Sequence, residues 1–207
     1  DLLLPESGFQ WEEKIYRKDI KEYKKFQQFL EIIAGTSDPA FKYAIGTVLD
    51  IDTFLTWTFG VILSGNFHQG NGANLVFYQN PETGKFEPVY FDALLSELSY
   101  PISVDYHRIV NRVFQINSYK KRFEEIAWNY VSDIKNLEND LEYYDNEAEK
   151  IMPDIYQDAM KIQTSYEAKE QIRREREVYK KNFLLLRSIL EEKRELEFIF
   201  ADETYPL

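Results

Sequence analysis

The chain combines long stretches of helical hydrophobic spacing with one short stretch typical of strands. Helical spacing begins early, where apolar side chains recur at mostly three- and four-residue intervals: Trp11, Ile15, Tyr23, Phe26, Phe29, Leu30 and Ile33. This spacing predicts an amphipathic helix. Residues 37–39, Ser-Asp-Pro, then predict the start of a second, short helix, because proline is tolerated in a first helical turn.

The segment LDIDTFLTWTFGVILSG, residues 49–65, has a different pattern. From Phe54 to Leu63, apolar side chains occupy almost the whole circumference of the predicted helix. A helix of this kind is normally buried on all sides. We therefore expect residues 52–63 to form the central and most buried helix of the fold.

Two short segments after this helix predict a β-hairpin. NLVFYQ (residues 74–79) and KFEPVYF (85–91) have strand-like composition, and the intervening NPETG supplies proline and glycine for a tight turn. Pro88 lacks an amide hydrogen, so the second strand should have a free edge there. We interpret the aromatic side chains Tyr78, Tyr90, Phe91 and Tyr100 as core packing rather than as a platform for stacking nucleic-acid bases, because the chain is acidic.

Beyond Pro101 the sequence predicts helices almost throughout. They are expected over residues 104–114, 118–134, 137–151, 153–161 and 167–195. No repeat or long linker interrupts them. The predicted fold class is therefore α+β and predominantly helical, with one small hairpin. We interpret residues 1–207 as a single domain in which residues 1–10 form a linker or strand remnant.

Composition narrows the classes of function. The hydrophobic fraction of 44% argues against disorder, and the formal net charge of -11 disfavours a nucleic-acid or anionic membrane surface. There is no cysteine, and two histidines make a histidine-rich zinc site improbable. No apolar run approaches the length of a membrane span. The chain opens at Asp1 without a methionine, so we expect it to be a piece of a longer protein; its compartment and oligomeric state are left open.

The hairpin carries the best candidate chemistry. Asn74 begins one predicted strand and Asp92 follows the other, and an antiparallel pair brings such ends to about 5 Å of each other at the backbone. A carboxylate and an amide oxygen are suitable ligands for a hard cation such as Mg²⁺. The same two residues could instead cap the strand and the segment that follows it. The residues alone leave both interpretations open.

The loop before the hairpin, residues 65–73, contains no charged residue and three glycines. Gly70 and Gly72 would let backbone approach a ligand closely. His68 could act as a base, a phosphate contact or a metal ligand, or it could simply be exposed. We expect this loop to line a cleft that His68 faces.

Four passages in order resemble the spore-coat protein H (CotH) kinase family. They are a helix followed by TSDPAFKYAIGTVLDIDTFLTW, the strand NLVFY, the turn with KFEPVYFD, and the late helix ending in KKNFLLLRSILEE. The resemblance runs from about Tyr16 to about Leu190. The resemblance implies a kinase-like fold in which this chain supplies the C-terminal lobe and the active-site hairpin.

The resemblance also implies roles for particular residues. Asn74 and Asp92 correspond to metal ligands, with Mg²⁺ and ATP as cofactors and Gly70 and Gly72 beside the nucleotide. The implied reaction is phosphoryl transfer to a protein hydroxyl. Some relatives carry His-Gln at this point, so we interpret His68 and Gln69 as subfamily features. His68 is the candidate catalytic residue from its residue type and its place in the loop. Implied partners are a protein substrate or coat and surface proteins, and the implied location is a spore coat or an extracellular surface.

Three departures from the family pattern keep a second class of function open. The N-terminal lobe, which should supply a phosphate-contacting lysine and its partner glutamate, is absent from the first 15 residues. The loop NFHQGNGAN has no acidic residue where the family usually has an aspartate, and Leu94 stands where a second carboxylate is usual. Without these acids, catalysis could be lost while the fold is kept. The alternative function is therefore a non-catalytic surface or spore-coat assembly module that binds partner proteins. A plain helical scaffold with an accidental resemblance ranks third.

Overall fold

The computed structural model describes residues 20–35, 38–66, 69, 75–91, 94–98 and 108–202. The helices are α1 (Ile20–Gly35), α2 (Asp38–Val48), α3 (Ile51–Ser64), α4 (Arg108–Phe114), α5 (Asn117–Val131), α6 (Ile134–Gln157) and α7 (Ser165–Asp202). The strands are β1 (Val76–Gln79) and β2 (Phe86–Val89). The prediction of a predominantly helical α+β fold with one hairpin is confirmed for the described residues.

Two compact units are present. The first comprises residues 1–61, 67–93 and 101–123, and the second comprises residues 62–66, 94–100 and 124–207. Helices α3 and α5 therefore contribute residues to both. The single-domain prediction for residues 1–207 stays a prediction. No helix in the described ranges is long and apolar enough to cross a membrane.

The hairpin of the first unit is antiparallel, with Val76 opposite Val89 and Gln79 opposite Phe86. Its strands are shorter than the predicted segments. The turn closes where the Gly84 amide donates to the Asn80 carbonyl at 2.8 Å, and Gly84 has a φ of 70°, which glycine adopts without steric cost.

Helix α1 packs against one face of this hairpin through aromatic rings. The Phe29 ring lies 4.8 Å from the Phe86 ring and 5.0 Å from the Phe77 ring, measured between centroids.

Arg112 of α4 covers the Phe41 ring at 4.0 Å and donates to the carbonyls of Ile32 and Ile33. These carbonyls lie in the last turn of α1, where helical partners run out, so Arg112 satisfies that end of the helix.

In the second unit, α6 and α7 form an antiparallel helix pair. The Arg176 guanidinium binds the Asp145 carboxylate through two nitrogens at 2.7 and 2.9 Å. The predicted break near residue 152 is wrong, because α6 continues through Pro153 to Gln157. Pro153 lies within the last turns of α6 and is exposed, so it removes one helical hydrogen bond near the end without disturbing buried packing.

A buried asparagine joins three segments of the second unit. Asn182 of α7 donates to the carbonyl oxygens of Leu63 at 3.0 Å and Ser96 at 2.8 Å, and its Oδ1 accepts from the Leu98 amide at 2.9 Å. Gly65 lies beside this junction with a φ of 63°, and a Cβ there would approach the Ser96 carbonyl oxygen to 2.0 Å. The side-chain amide thus substitutes for regular secondary structure around residues 94–98.

Asn182→Ala removes the side-chain partner of three backbone groups. We expect the free energy of unfolding to fall by about 2 kcal/mol. The bond to Leu63 is buried and those to Ser96 and Leu98 are partly buried, and a buried polar group left without a partner costs about 1–3 kcal/mol. Urea denaturation measures it. The matched control is Lys181→Ala, which breaks an exposed 3.1 Å ion pair with Glu97 and should change stability by less than about 1 kcal/mol. Equal effects of the two substitutions would contradict the role of Asn182.

Two tyrosine hydroxyls of this unit converge on one carboxylate. Tyr130 donates to Asp140 at 2.8 Å, and Tyr179 donates to the same carboxylate at 2.5 Å. Burial, followed by the bond to Asp140, raises the pKa of Tyr130 to about 12. Burial, followed by the nearby Glu175 charge, raises the pKa of Tyr144 to about 12 as well.

These raised pKa values predict alkaline destabilisation. In the unfolded chain both tyrosines lose their protons near pH 10 and in the folded chain near pH 12, so the unfolded state binds fewer protons between these values. Stability should therefore fall as pH rises from 10 to 12. Urea denaturation at several pH values should show a shallower decline for Tyr130→Phe/Tyr144→Phe. Tyr43→Phe, on a ring that is 80% exposed, is the matched control; an unchanged slope in the double variant would contradict this account.

Candidate active site

The residues predicted to carry chemistry all lie outside the described residues: His68, Gly70, Gly72, Asn74 and Asp92. Their roles, including the cleft that His68 was expected to face, stay predictions. What the structure describes is the frame to which they are attached. Gln69 follows His68, Leu75 follows Asn74, and Phe91 precedes Asp92.

Helix α3 is joined to the beginning of β2. The Asp50 carboxylate accepts from the Thr53 amide at 2.9 Å, which caps the first turn of the helix. This backbone hydrogen bond holds the pKa of Asp50 below its ordinary value. The Asp50 amide in turn donates to the Phe86 carbonyl at 2.9 Å. The start of the helix is thereby fixed against the start of the strand.

A second set of contacts joins the middle of α3 to the end of β2. Trp57 is 3% exposed, which confirms the predicted burial of this helix, and its carbonyl accepts from the Tyr90 hydroxyl at 3.2 Å. Gly60 makes room for the phenol, since a Cβ there would lie 1.6 Å from the hydroxyl oxygen. Burial raises the pKa of Tyr90 above its usual value, so the hydroxyl keeps its proton and remains a donor.

The described part of the loop before β1 is attached to the same tryptophan. Gln69 is 0% exposed, and its Oε1 accepts from the Trp57 indole nitrogen at 3.0 Å. Its Nε2 donates to the Phe91 carbonyl. The Gln69 side chain therefore joins its own segment, just after His68, to Phe91, just before Asp92, and is itself hydrogen-bonded to helix α3.

Sequence patterns did not indicate this role of Gln69. A glutamine in a glycine-rich loop has no periodicity that predicts burial, and its partners lie 12 and 22 residues away. The available signal was compositional: a buried indole needs an acceptor, and the loop after α3 offers uncharged polar side chains.

The outer face of the hairpin is apolar and exposed. Val76 is 40% exposed, Tyr78 51% and Phe91 55%. The interpretation of Tyr78 and Phe91 as core packing is wrong, and Tyr90, at 48% exposed, is only partly buried. Tyr100 lies outside the described residues. The hairpin has only two strands and α1 covers one face of it, so side chains of the other face are left to solvent.

No group of three or more histidine, cysteine, aspartate or glutamate side chains in the described ranges is arranged to hold a metal ion. The two predicted ligands, Asn74 and Asp92, lie outside the described residues. The hypothesis of a metal site therefore depends on Asn74 and Asp92 themselves.

A helical scaffold that supports one two-stranded hairpin defines a predominantly helical α+β class. Residues 5–188 match the family described as CotH kinase protein. This is most of the chain, and the protein belongs to the CotH kinase family. Membership indicates nucleotide and metal use in general, and protein substrates as a class. No curated protein matches the chain.

Trp57→Ala should lower the free energy of unfolding by about 3–5 kcal/mol, because it empties a buried site of its largest side chain. Thermal or urea denaturation measures the change. Thr56→Ala, at the exposed neighbouring position of the same helix, is the control and should have little effect. A loss below about 1 kcal/mol for Trp57→Ala would show that α3 is not the central support of the hairpin.

Proposed function

We propose that this chain is the nucleotide- and metal-binding part of an atypical protein kinase. The reaction is transfer of the terminal phosphoryl group of a nucleoside triphosphate to a protein hydroxyl. The bond from phosphorus to the bridging oxygen breaks, a bond to the hydroxyl oxygen forms, and a nucleoside diphosphate leaves. The hydroxyl proton passes to a base.

The observation that carries this proposal is the support built around the hairpin end. The Phe91 carbonyl is held by Gln69, and the Tyr90 hydroxyl is held by the Trp57 carbonyl at 3.2 Å. Two consecutive residues are therefore fastened immediately before Asp92. Phosphoryl transfer depends mainly on accurate positioning of charge, so a rigid base for a metal-binding carboxylate is the feature such a site needs.

The donor set suits Mg²⁺. Asp92 would contribute a carboxylate oxygen and Asn74 an amide oxygen, both of which are ligands that this hard cation accepts. When bound, Mg²⁺ neutralises charge on the phosphates of the nucleotide. Two protein ligands leave most of its coordination sphere to water and phosphate oxygens, so the nucleotide should strengthen metal binding.

The remaining predicted residues have roles on the loop. His68 is the proposed base that accepts the proton of the attacking hydroxyl. Gly70 and Gly72 are proposed to lie against the triphosphate, where the absence of side chains permits close approach. The absence of carboxylates from residues 65–73 avoids repulsion of an anionic ligand.

The proposed partner is a protein substrate or a protein of a coat or surface. A spore coat or an extracellular surface is the proposed location. Both rest on membership of the family.

A second function, non-catalytic assembly, has its own supporting observation. Leu94 occupies the position where the family usually has a second carboxylate, and it is 39% exposed. Phe91 nearby in sequence is 55% exposed. Exposed apolar side chains are better suited to contact with a protein than to binding a phosphate.

Isothermal titration calorimetry of the chain with Mg²⁺ and ATP, separately and together, tests the first proposal. We expect weak Mg²⁺ binding without ATP and tighter binding in its presence. Asp92→Ala should lower Mg²⁺ affinity at least about tenfold, because loss of a residue that only orients a metal ligand already lowers affinity by about that factor.

Glu82→Ala is the matched control for this titration. It removes another exposed carboxylate of the same hairpin, but at the turn rather than at the strand ends, and should leave affinity unchanged. If wild-type protein binds neither Mg²⁺ nor ATP, or if both variants bind equally well, the kinase proposal fails and the assembly function is favoured.

A further inference from the structure

A buried glutamine in the loop before the hairpin has the properties of a positioning residue. Gln69 is 0% exposed, although a primary amide has two donor hydrogens and a carbonyl oxygen that need partners. Transfer of such a group from water to a solvent that cannot form hydrogen bonds is unfavourable by several kcal/mol. The retention of a fully buried amide here therefore depends on the contacts that it makes.

Those contacts fix the orientation of the amide. The Trp57 indole nitrogen can only donate a hydrogen bond, so the atom 3.0 Å from it must be the glutamine oxygen. The amide nitrogen then faces the Phe91 carbonyl, which can only accept. Both ends of the side chain are consequently determined by their partners.

The support behind the amide is itself well fixed. Trp57 is 3% exposed in α3, and its ring lies 5.7 Å from that of Phe54, which is 0% exposed. The same tryptophan holds the Tyr90 hydroxyl through its carbonyl at 3.2 Å. Gln69 is therefore hydrogen-bonded to a residue that is itself packed in the core of the first unit.

We propose that Gln69 is a positioning residue of the candidate site: by joining the Trp57 indole to the Phe91 carbonyl, it fixes the backbone that adjoins His68 and Asp92 in the sequence. His68 is one peptide bond before Gln69, and Asp92 is one peptide bond after Phe91. The side chain acts through these neighbours rather than on a substrate. The expected effect of Gln69 on metal binding rests on the proposed function. Its connection of the loop to the segment after β2 does not.

The chemistry requires an amide at this position. Glutamate would keep an acceptor for the indole but direct a second oxygen at the Phe91 carbonyl, where two acceptors repel. Methionine has similar length and would leave both the indole N–H and the Phe91 carbonyl without this partner. Each substitution breaks the connection in a different way, so Gln69→Glu and Gln69→Met test it independently.

The first measurement requires no ligand. In ¹H–¹⁵N NMR spectra of the full chain, the Trp57 indole N–H, assigned with Trp57→Phe, should exchange slowly with solvent in the wild type. In Gln69→Met it should exchange at least about tenfold faster, and the backbone amide resonances of His68 and Asp92 should both shift. Unchanged indole exchange together with unchanged amide resonances would overturn the proposal.

The second measurement uses Mg²⁺ in the presence of ATP as the probe. We expect Gln69→Met and Gln69→Glu to weaken Mg²⁺ binding about 10–100-fold, as is typical when a residue that orients a metal ligand is lost. ATP affinity without the metal should change much less, a separation that general destabilisation would not produce. Circular dichroism confirms that the variants are folded, and if Gln69→Met is not, Gln69→Glu carries the test.

Gln79→Met is the matched control. Gln79 lies on the same hairpin and also donates from its amide to a carbonyl, that of Gly84 at 3.0 Å, but at the turn. It should leave Mg²⁺ affinity and the Asp92 resonance unchanged. Folded Gln69 variants that bind Mg²⁺ like the wild type would overturn the proposal.

A wild type that binds neither Mg²⁺ nor ATP would instead refute the proposed function. The ligand-free NMR comparison would then decide the positioning of the two segments by itself: faster indole exchange with shifted His68 and Asp92 resonances supports it, and their absence overturns it.

Discussion

The hydrogen bond between the Trp57 indole and the Gln69 amide determines how the loop after α3 is joined to the hairpin. The indole donates to the Gln69 oxygen at 3.0 Å, and the Gln69 amide nitrogen donates to the Phe91 carbonyl. The Trp57 carbonyl accepts from the Tyr90 hydroxyl. Trp57, in the middle of α3, is thus hydrogen-bonded to Gln69 before β1 and to Tyr90 after β2. Because the bond between Trp57 and Gln69 is buried, removing either partner leaves a polar group that solvent cannot readily satisfy.

The second unit uses the same physical device in a different place. Asn182 is 1% exposed and, like Gln69, directs both ends of a primary amide to groups on other segments. Irregular segments cannot satisfy their backbone groups with a regular ladder of hydrogen bonds. A buried amide with fixed orientation supplies a donor and an acceptor at once, so a single side chain holds such a segment in one conformation.

Membership of the CotH kinase family and the particular residues of this chain point to different aspects of function. The family match over residues 5–188 accounts for the helical scaffold and the hairpin. The loop without acidic residues and the exposed Leu94 reduce the number of oxygen donors that the chain can offer a metal. The proposed metal site would therefore depend on positioning and on oxygens from the nucleotide, and the proposed role of Gln69 belongs to that positioning.

The sequence by itself determined the fold class, the buried helix at residues 51–64 and the hairpin, because each depends on local periodicity and turn residues. It did not determine the continuation of α6 through Pro153, which depends on how near the proline lies to the helix end. It also failed for Tyr78 and Phe91, whose exposure depends on which face of the hairpin α1 covers. For the candidate site it nominated His68, Asn74 and Asp92 from their residue types, but not Gln69, whose side chain connects the segment next to His68 with the residue before Asp92. Only the tertiary structure decided that Gln69 lies between Trp57 and Phe91, because hydrogen bonds across 12 and 22 residues leave no pattern in a single sequence.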